Sequence, residues 1–312
     1  MYTGALENRP DIVAKIQRPL WGNPPDVLRR VRAPLLLAEA LRRHGLACPH
    51  VAVARAQVDP ALRYVVKPLR SAGGTHLRMF DSPSAFIPGR SYLQEWTAGD
   101  PCSATFVGNA LGSAQLLGVT RQLIGEPWLA AAPFQWCGNI GPLPLDAKTS
   151  ATLERVGQAL VREFTLRGLF GVDFILRDGV PWPVEVNPRY PASLEVLERA
   201  TGQSFLAGHA EAFGAAAPDA KERRPQGKVV AKAILFARQP LVVAGTMPWA
   251  AALEMPFDDL TLPFADIPAA GTRIQIGQPI CSLFAIAGDF NCLTKLRTAV
   301  AELERRLQAE PK

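Results

Sequence analysis

Two carboxylates stand inside a stretch that otherwise reads as buried β-structure. Residues 169–190 run LFGVDFILRDGVPWPVEVNPRY. Two apolar, β-branched runs meet at Asp178-Gly179, a dipeptide that turns a strand back on itself, so the stretch reads as a β-hairpin. Asp173 and Glu185 interrupt those runs, and Asn187 follows two residues after Glu185. A charged group in such a place is costly unless it is paired or holds a cation. Register decides what the two acids can do. A two-residue turn at Asp178-Gly179 puts Asp173 and Glu185 on opposite faces, whereas a three-residue loop with glycine in the left-handed conformation sets them side by side. The three-residue loop is the reading adopted here. Glu185 and Asn187 then share that face, because strand side chains repeat every second residue. Three oxygen donors with room for waters and phosphates suit magnesium. The plainer reading is a hairpin whose acids pair with nearby arginines.

A second group of residues suits an anion. Tyr64-Val65-Val66-Lys67-Pro68 reads as a buried strand that delivers a lysine at its end, followed by a loop containing Ser71, Gly73, Gly74, Thr75 and His76. Small residues allow close backbone approach, and successive N–H groups can cradle phosphate, to which Lys67 adds a point charge. As a plain turn the loop needs no ligand. Arg121, at the end of another strand, reads equally well as facing an anion or as exposed. The histidines His44, His50, His76 and His209 have no ligand spacing, and there is no Ser-His-Asp order or Cys-His pairing.

These groups need elements to hold them. The clearest helix is expected over 146–168, where Leu153, Val156, Leu160, Val161 and Phe164 recur at helical spacing, with Ser150 as cap and Gly168 as terminator. Another is expected over 26–45, capped by Asp26 and broken at Pro34, and further helices over 193–199, 204–213 and 291–307. Strands are expected at 51–54, 64–68, 103–107 and 115–120, the last two joined at Gly108-Asn109, and later at 228–237 and within 271–286. The pattern is α+β.

Composition narrows the class. The chain has 312 residues, 48% hydrophobic and 20% charged, which is ordinary for a globular protein of two or more lobes. The net charge of +6 is scattered or in short pairs, which fits a phosphate-bearing small molecule and gives no nucleic-acid stripe. No apolar run approaches the roughly 18 residues of a membrane span, and no signal-peptide core follows the early Glu7, Asn8 and Arg9. The expected location is cytoplasmic, with no membrane partner. Five dispersed cysteines without CxxC spacing read as reduced thiols.

A lysine-ended strand, a glycine loop, Gln94-Glu95-Trp96 before a turn, an amphipathic helix and an acidic hairpin closing on Glu185-Val186-Asn187-Pro188-Arg189 together resemble the ATP-grasp superfamily of ATP-dependent carboxylate–amine ligases. The resemblance covers roughly residues 30–213. It implies two lobes with antiparallel sheets clasping ATP: a small lobe at 31–98 and a large lobe at 99–215. Residues 1–30 would then be a remnant of the domain that precedes the lobes in the family, and 216–312 a β-rich segment with a terminal helix. It implies that Lys67 contacts the ATP phosphates with Ser71 to Thr75 folded over them, that Glu95 and Trp96 line the adenine pocket, and that Asp173, Glu185 and Asn187 hold Mg2+. Arg189 would stabilise the transferred phosphoryl group. The substrates implied are a small acid and a small amine, joined through an acyl phosphate, in a chain that is compatible with a homo-oligomer. The tail, with Ala265-Asp266-Ile267-Pro268 and Gly277-Gln278-Pro279-Ile280, resembles a branch related to biotin carboxylase, found in bacteria that use methanopterin- and methanofuran-type carriers, and so points to one-carbon cofactor biosynthesis. Two alternatives stay open: a biotin-carboxylase-like activation of bicarbonate, and a non-catalytic ATP-binding protein.

Overall fold

Proline sets where the early helices begin. Pro10, Pro25 and Pro34 each open a helix at its first position, where the missing N–H costs nothing. Because Pro34 also restricts the residue before it, the two helices around it cannot fuse, and Arg32 is left in the elbow between them. The computed structural model describes residues 4–70, 73–216, 227–245, 247–250, 254 and 262–309.

In chain order the elements are α1 (Gly4–Glu7), α2 (Pro10–Val13), α3 (Pro25–Val31), α4 (Pro34–Arg43), β1 (Val51–Ala52), β2 (Tyr64–Pro68), β3 (Arg78–Met79), β4 (Ser91–Glu95), β5 (Asp100–Gly108), β6 (Ala114–Ile124), β7 (Trp136–Gly141), α5 (Ala147–Phe164), β8 (Gly168–Arg177), β9 (Val180–Asn187), α6 (Ser193–Thr201), α7 (Leu206–Ala212), β10 (Val229–Phe236), β11 (Leu241–Val242), β12 (Phe264–Ala265), β13 (Arg273–Ile274), β14 (Pro279–Ala287) and α8 (Cys292–Ala309). This is an α+β fold whose named strand pairs are antiparallel. No helix among the described residues is long and apolar enough to cross a membrane.

The chain divides into two units, Met1–Val119 with Leu143–Leu194 and Ser204–Lys221, and Thr120–Pro142 with Glu195–Gln203 and Glu222–Lys312. In the first, β1, β4, β2 and β3 lie side by side in that order, and β5, β8 and β9 form an antiparallel run. Alternation in β8 and β9 decides what each face does. Phe170, Val172, Phe174 and Val186 join Leu153, Val156 and Leu160 of α5 in one apolar core, so the residues between them face the other way. In the second unit β12, β14, β10, β7 and the end of β6 are adjacent in that order. There Leu235, Leu283, Cys292, Leu296, Val300 and Leu303 share a second core with α8 along one edge of it.

Two sequence expectations at α5 are corrected. The N-cap is Asp146, whose carboxylate accepts the Thr149 N–H at 2.8 Å, one turn ahead of the Ser150 expected there. At the other end Thr165 takes the left-handed turn with φ 56°, and Gly168, φ 72°, starts β8 instead of ending the helix. Asp26 likewise lies in the first turn of α3, with Pro24 as the N-cap. An aspartate whose side chain satisfies an otherwise orphaned N–H typically contributes about 1 kcal/mol. Asp146→Ala is therefore expected to lower the unfolding free energy by about 1 kcal/mol, while Ser150→Ala stays within about 0.5 kcal/mol. Urea midpoints compare the two, and equal losses would overturn the cap assignment.

Candidate functional site

The hairpin turn is the tight one. Arg177 pairs with Val180 across Asp178 and Gly179 alone, and both turn residues are left-handed, φ 51° and 73°, as a type I′ turn requires. The three-residue loop expected from the sequence is not formed. A two-residue turn carried on without interruption would set Asp173 opposite Val184 and send Glu185 to the core face. Instead the ladder slips: Phe174 pairs with Pro183, but Asp173 pairs with Glu185, leaving Val184 as the extra residue of a β-bulge. The two acids are thus side by side, by a bulge next to the site instead of by the loop. Thr149 Oγ1 of α5 lies 2.8 Å from Gly179 O, tying the turn to the helix.

The bulge supplies a second feature. Lys67, only 7% exposed, donates to Val184 O at 3.2 Å and to Gln94 Oε1 at 3.1 Å, and Gln94 Nε2 donates to the same carbonyl at 3.2 Å. Lys67 faces Tyr92 across β2 and β4, and Gln94 lies two residues further along β4 on the same face. Burial works against the Lys67 ammonium, but Tyr92, Glu185 and Asp173 outweigh it, so the lysine is charged.

Two arginines complete the cluster. Arg32, in the elbow before Pro34, donates from Nη1 to Glu185 Oε1 at 2.8 Å, and the same nitrogen is 3.5 Å from Glu7 Oε1. Arg189 donates from Nε to Glu7 Oε2 at 2.9 Å and from Nη2 toward Asn187 Oδ1 at 3.4 Å. Asn187 in turn donates to Asp173 Oδ2 at 3.0 Å. Buried Asn23 holds the segment from behind, donating to Arg167 O at 3.3 Å and Pro188 O at 3.2 Å. Gly171, opposite Asn187, has to be small, since a Cβ there would lie 2.8 Å from the Pro191 ring.

Burial, then the neighbouring Glu185 charge, pushes the Asp173 carboxyl up to about 6, against the pull of Ser103, Asn187 and Arg189. Two acids held together at such a cost are chemically suited to a hard cation, which removes their repulsion. Among the described residues no group of three His, Cys, Asp or Glu side chains gathers as a metal cage. What the cluster brings together is two carboxylates and the Asn187 amide, three oxygen-bearing groups of the kind a hard cation takes.

Lys67, Asp173, Glu185, Asn187 and Arg189 are gathered in one cluster. Gly73, Gly74 and Thr75 lie in the turn between β2 and β3, with both glycines left-handed, and Ser71 lies outside the described residues. Glu95 ends β4 and accepts the His50 N–H at 2.9 Å, while Trp96 beside it is 40% exposed. Arg121 is half-buried on β6 opposite Ile140. His209 is buried, with Nδ1 accepting Leu169 N–H at 3.0 Å and Nε2 against Trp21 O at 3.2 Å, a packing histidine. Sequence reading missed Glu7, Arg32, Tyr92, Gln94 and Ser103. Only Tyr92 and Gln94 carried a signal, the alternation that puts them on the face of Lys67.

The raised Asp173 carboxyl has a consequence for stability. Its proton is held more tightly in the folded chain, about 6, than at the ordinary value of 3.8, so the metal-free protein loses stability as pH rises from about 4 to 6. Asp173→Asn removes that loss. With a chelator present, the variant is expected to match the parent near pH 4 and exceed it by about 2–3 kcal/mol above pH 7. Parallel stability curves across that range would show that Asp173 is not the strained group.

A family profile described as the ATP-grasp domain matches residues 34–193. An uncharacterised protein of Methanocaldococcus jannaschii is 26% identical over 253 residues, 78% of this chain and 56% of that protein, so the chain spans about half the length of that relative. Among solved structures, the biotin carboxylase domain of Hydrogenobacter thermophilus 2-oxoglutarate carboxylase superposes with a TM-score of 0.72 at 12% identity, over 96% of this chain and 72% of that one. The L-amino acid ligase of Bacillus licheniformis gives 0.65 at 14% identity over 90% and 73%. Phosphoribosylamine–glycine ligase of Thermotoga maritima gives 0.64 at 17% over 94% and 81%. These likenesses are of fold, and the profile, which takes in half of the chain and ends just past the acidic hairpin, carries the assignment: the chain belongs to the ATP-grasp family.

Proposed function

We propose that the protein is an ATP-dependent ligase that activates a carboxylate as an acyl phosphate and transfers the acyl group to an amine. In the first step a carboxylate oxygen attacks the γ-phosphorus and ADP leaves. In the second the amine displaces phosphate and loses a proton. The observation that carries this reading is the bulge at Val184, which sets Asp173 beside Glu185 and turns a carbonyl onto Lys67 within an ATP-grasp fold.

The charges support it. Asp173, Glu185 and Glu7 face Lys67, Arg32 and Arg189, three acids against three bases, linked directly or through one neighbour. Such a set has no surplus to hold a polyphosphate. Asp173, Glu185 and Asn187 would hold Mg2+, and the bound ion supplies charge neutralisation at the transferring phosphoryl group. Lys67 contributes a fixed positive charge, oriented by Gln94 and Val184. Arg189 presents a guanidinium to the phosphoryl or acyl phosphate oxygens. Gly73, Gly74 and Thr75 would contribute backbone N–H groups over the phosphates, and Glu95 and Trp96 would flank the adenine. Solved structures alike in fold include an L-amino acid ligase, a phosphoribosylamine–glycine ligase and a biotin carboxylase domain in complex with MgADP and bicarbonate, which supports an ATP-dependent ligase.

Purified protein given Mg2+ and ATP is expected to release ADP and phosphate only when a suitable acid and amine from a panel are both present. Glu185→Gln should lower that rate by about 100-fold or more while leaving the circular dichroism spectrum unchanged. Full activity in that variant would remove Glu185 from the reaction, and ADP release without any acceptor would argue against amide formation.

A further inference from the structure

Helix α1 carries a group that the ligase reading does not assign. Glu7 is its last residue, and its side chain is 1% exposed. A buried carboxylate costs several kcal/mol unless its partners are well placed. Here both partners belong to the site. Glu7 Oε2 accepts from Arg189 Nε at 2.9 Å, Oε1 accepts from Arg189 Nη2 at 3.4 Å, and Oε1 lies 3.5 Å from Arg32 Nη1. The next residue helps, since Asn8 Oδ1 accepts from Arg32 Nη2 at 3.0 Å.

The division of Arg32 matters most. One nitrogen, Nη1, serves Glu185 at 2.8 Å and Glu7 at 3.5 Å. Without Glu7, the full charge of Arg32 would fall on Glu185 and compete with any cation there. Arg189 would also lose the side-chain carboxylate that aims it, keeping Tyr190 O at 3.0 Å and the longer contact to Asn187 Oδ1. A planar guanidinium held by two nitrogens on one carboxylate is fixed in direction, which a single hydrogen bond does not achieve.

We infer that Glu7 is a positioning residue of the site: it orients Arg189 and shares the charge of Arg32 with Glu185, so that Arg32, 2.8 Å from Glu185, does not neutralise that carboxylate alone. This rests on the ligase reading above. It gives the segment around α1, which the sequence suggested was a remnant, a part in the chemistry.

The test uses the full chain with Glu7→Gln, Glu7→Asp, Arg189→Lys and the Glu7→Gln/Arg189→Lys double variant. ADP binding is measured by calorimetry with Mg2+ and with a chelator, alongside kcat and KM for ATP. Glu7→Gln is expected to lower kcat by about tenfold or more and to weaken ADP binding about fivefold with Mg2+, with less than about twofold change under chelation. In the double variant the loss of kcat should be no greater than in Arg189→Lys alone. Should Glu7→Gln fail to fold, Glu7→Asp keeps the charge and withdraws it by one methylene, and it should show the same Mg2+-selective loss in milder form. An unchanged kcat per folded molecule with only a lower urea midpoint, or losses that multiply in the double variant, would overturn the inference and leave the ligase reading intact. A parent protein that neither turns over ATP nor binds MgADP would overturn both.

Discussion

One extra residue in β9 decides which side chains meet at this site. Val184 has no partner across the hairpin, and that single interruption moves Glu185 from the face of the apolar core to the face of Asp173. Because strand side chains alternate, a slip of one residue exchanges the two faces completely. The same interruption releases a backbone carbonyl from the ladder. Lys67 and Gln94 take it up, so the bulge pairs the acids and holds the lysine.

Around that irregularity the charges close on themselves. Glu185 leans on Arg32, Arg32 on Glu7, Glu7 on Arg189, and Arg189 reaches through Asn187 to Asp173. Networks of this kind are poor sources of stability, since desolvation offsets most of the Coulombic gain. What they provide is direction. Each guanidinium and carboxylate has one arrangement in which all hydrogen bonds are made. Burial and the neighbouring Glu185 charge push both Asp173, to about 6, and Glu7 upward.

The second unit contains a comparable buried charge with a different character. Lys232 of β10 pairs with Glu195 at 2.7 Å, Arg199 pairs with the same glutamate at 3.2 Å and stacks 3.7 Å over the Phe284 ring. Here Lys232 also has Asp266 at 4.0 Å, so two cations and two acids answer one another.

Sequence alone determined the kinds of element and the inventory of chemistry. The break at Pro34, the helical spacing from Leu153 to Phe164, the β-branched runs beside Asp178-Gly179, and the presence of Lys67, Asp173, Glu185, Asn187 and Arg189 are all legible, because propensity, periodicity and turn chemistry are local. The helix ends were less so: Asp146 and Ser150 are both capping residues, and only the backbone chooses between them. The register of the hairpin was legible in its outcome, Asp173 beside Glu185, but not in its cause, a bulge where a three-residue loop was expected. Pro183 lacks a ladder donor and so admits a bulge beside it, but it does not say that Val184 is the extra residue. Glu7 and Arg32 were beyond reach for another reason. They meet Arg189 and Glu185 across 182 and 153 residues of chain, and nothing in the local sequence of either names its partner. Only tertiary packing brings such groups together, since the free energy that selects them comes from burying opposite charges in contact, a quantity that exists only once the chain has folded.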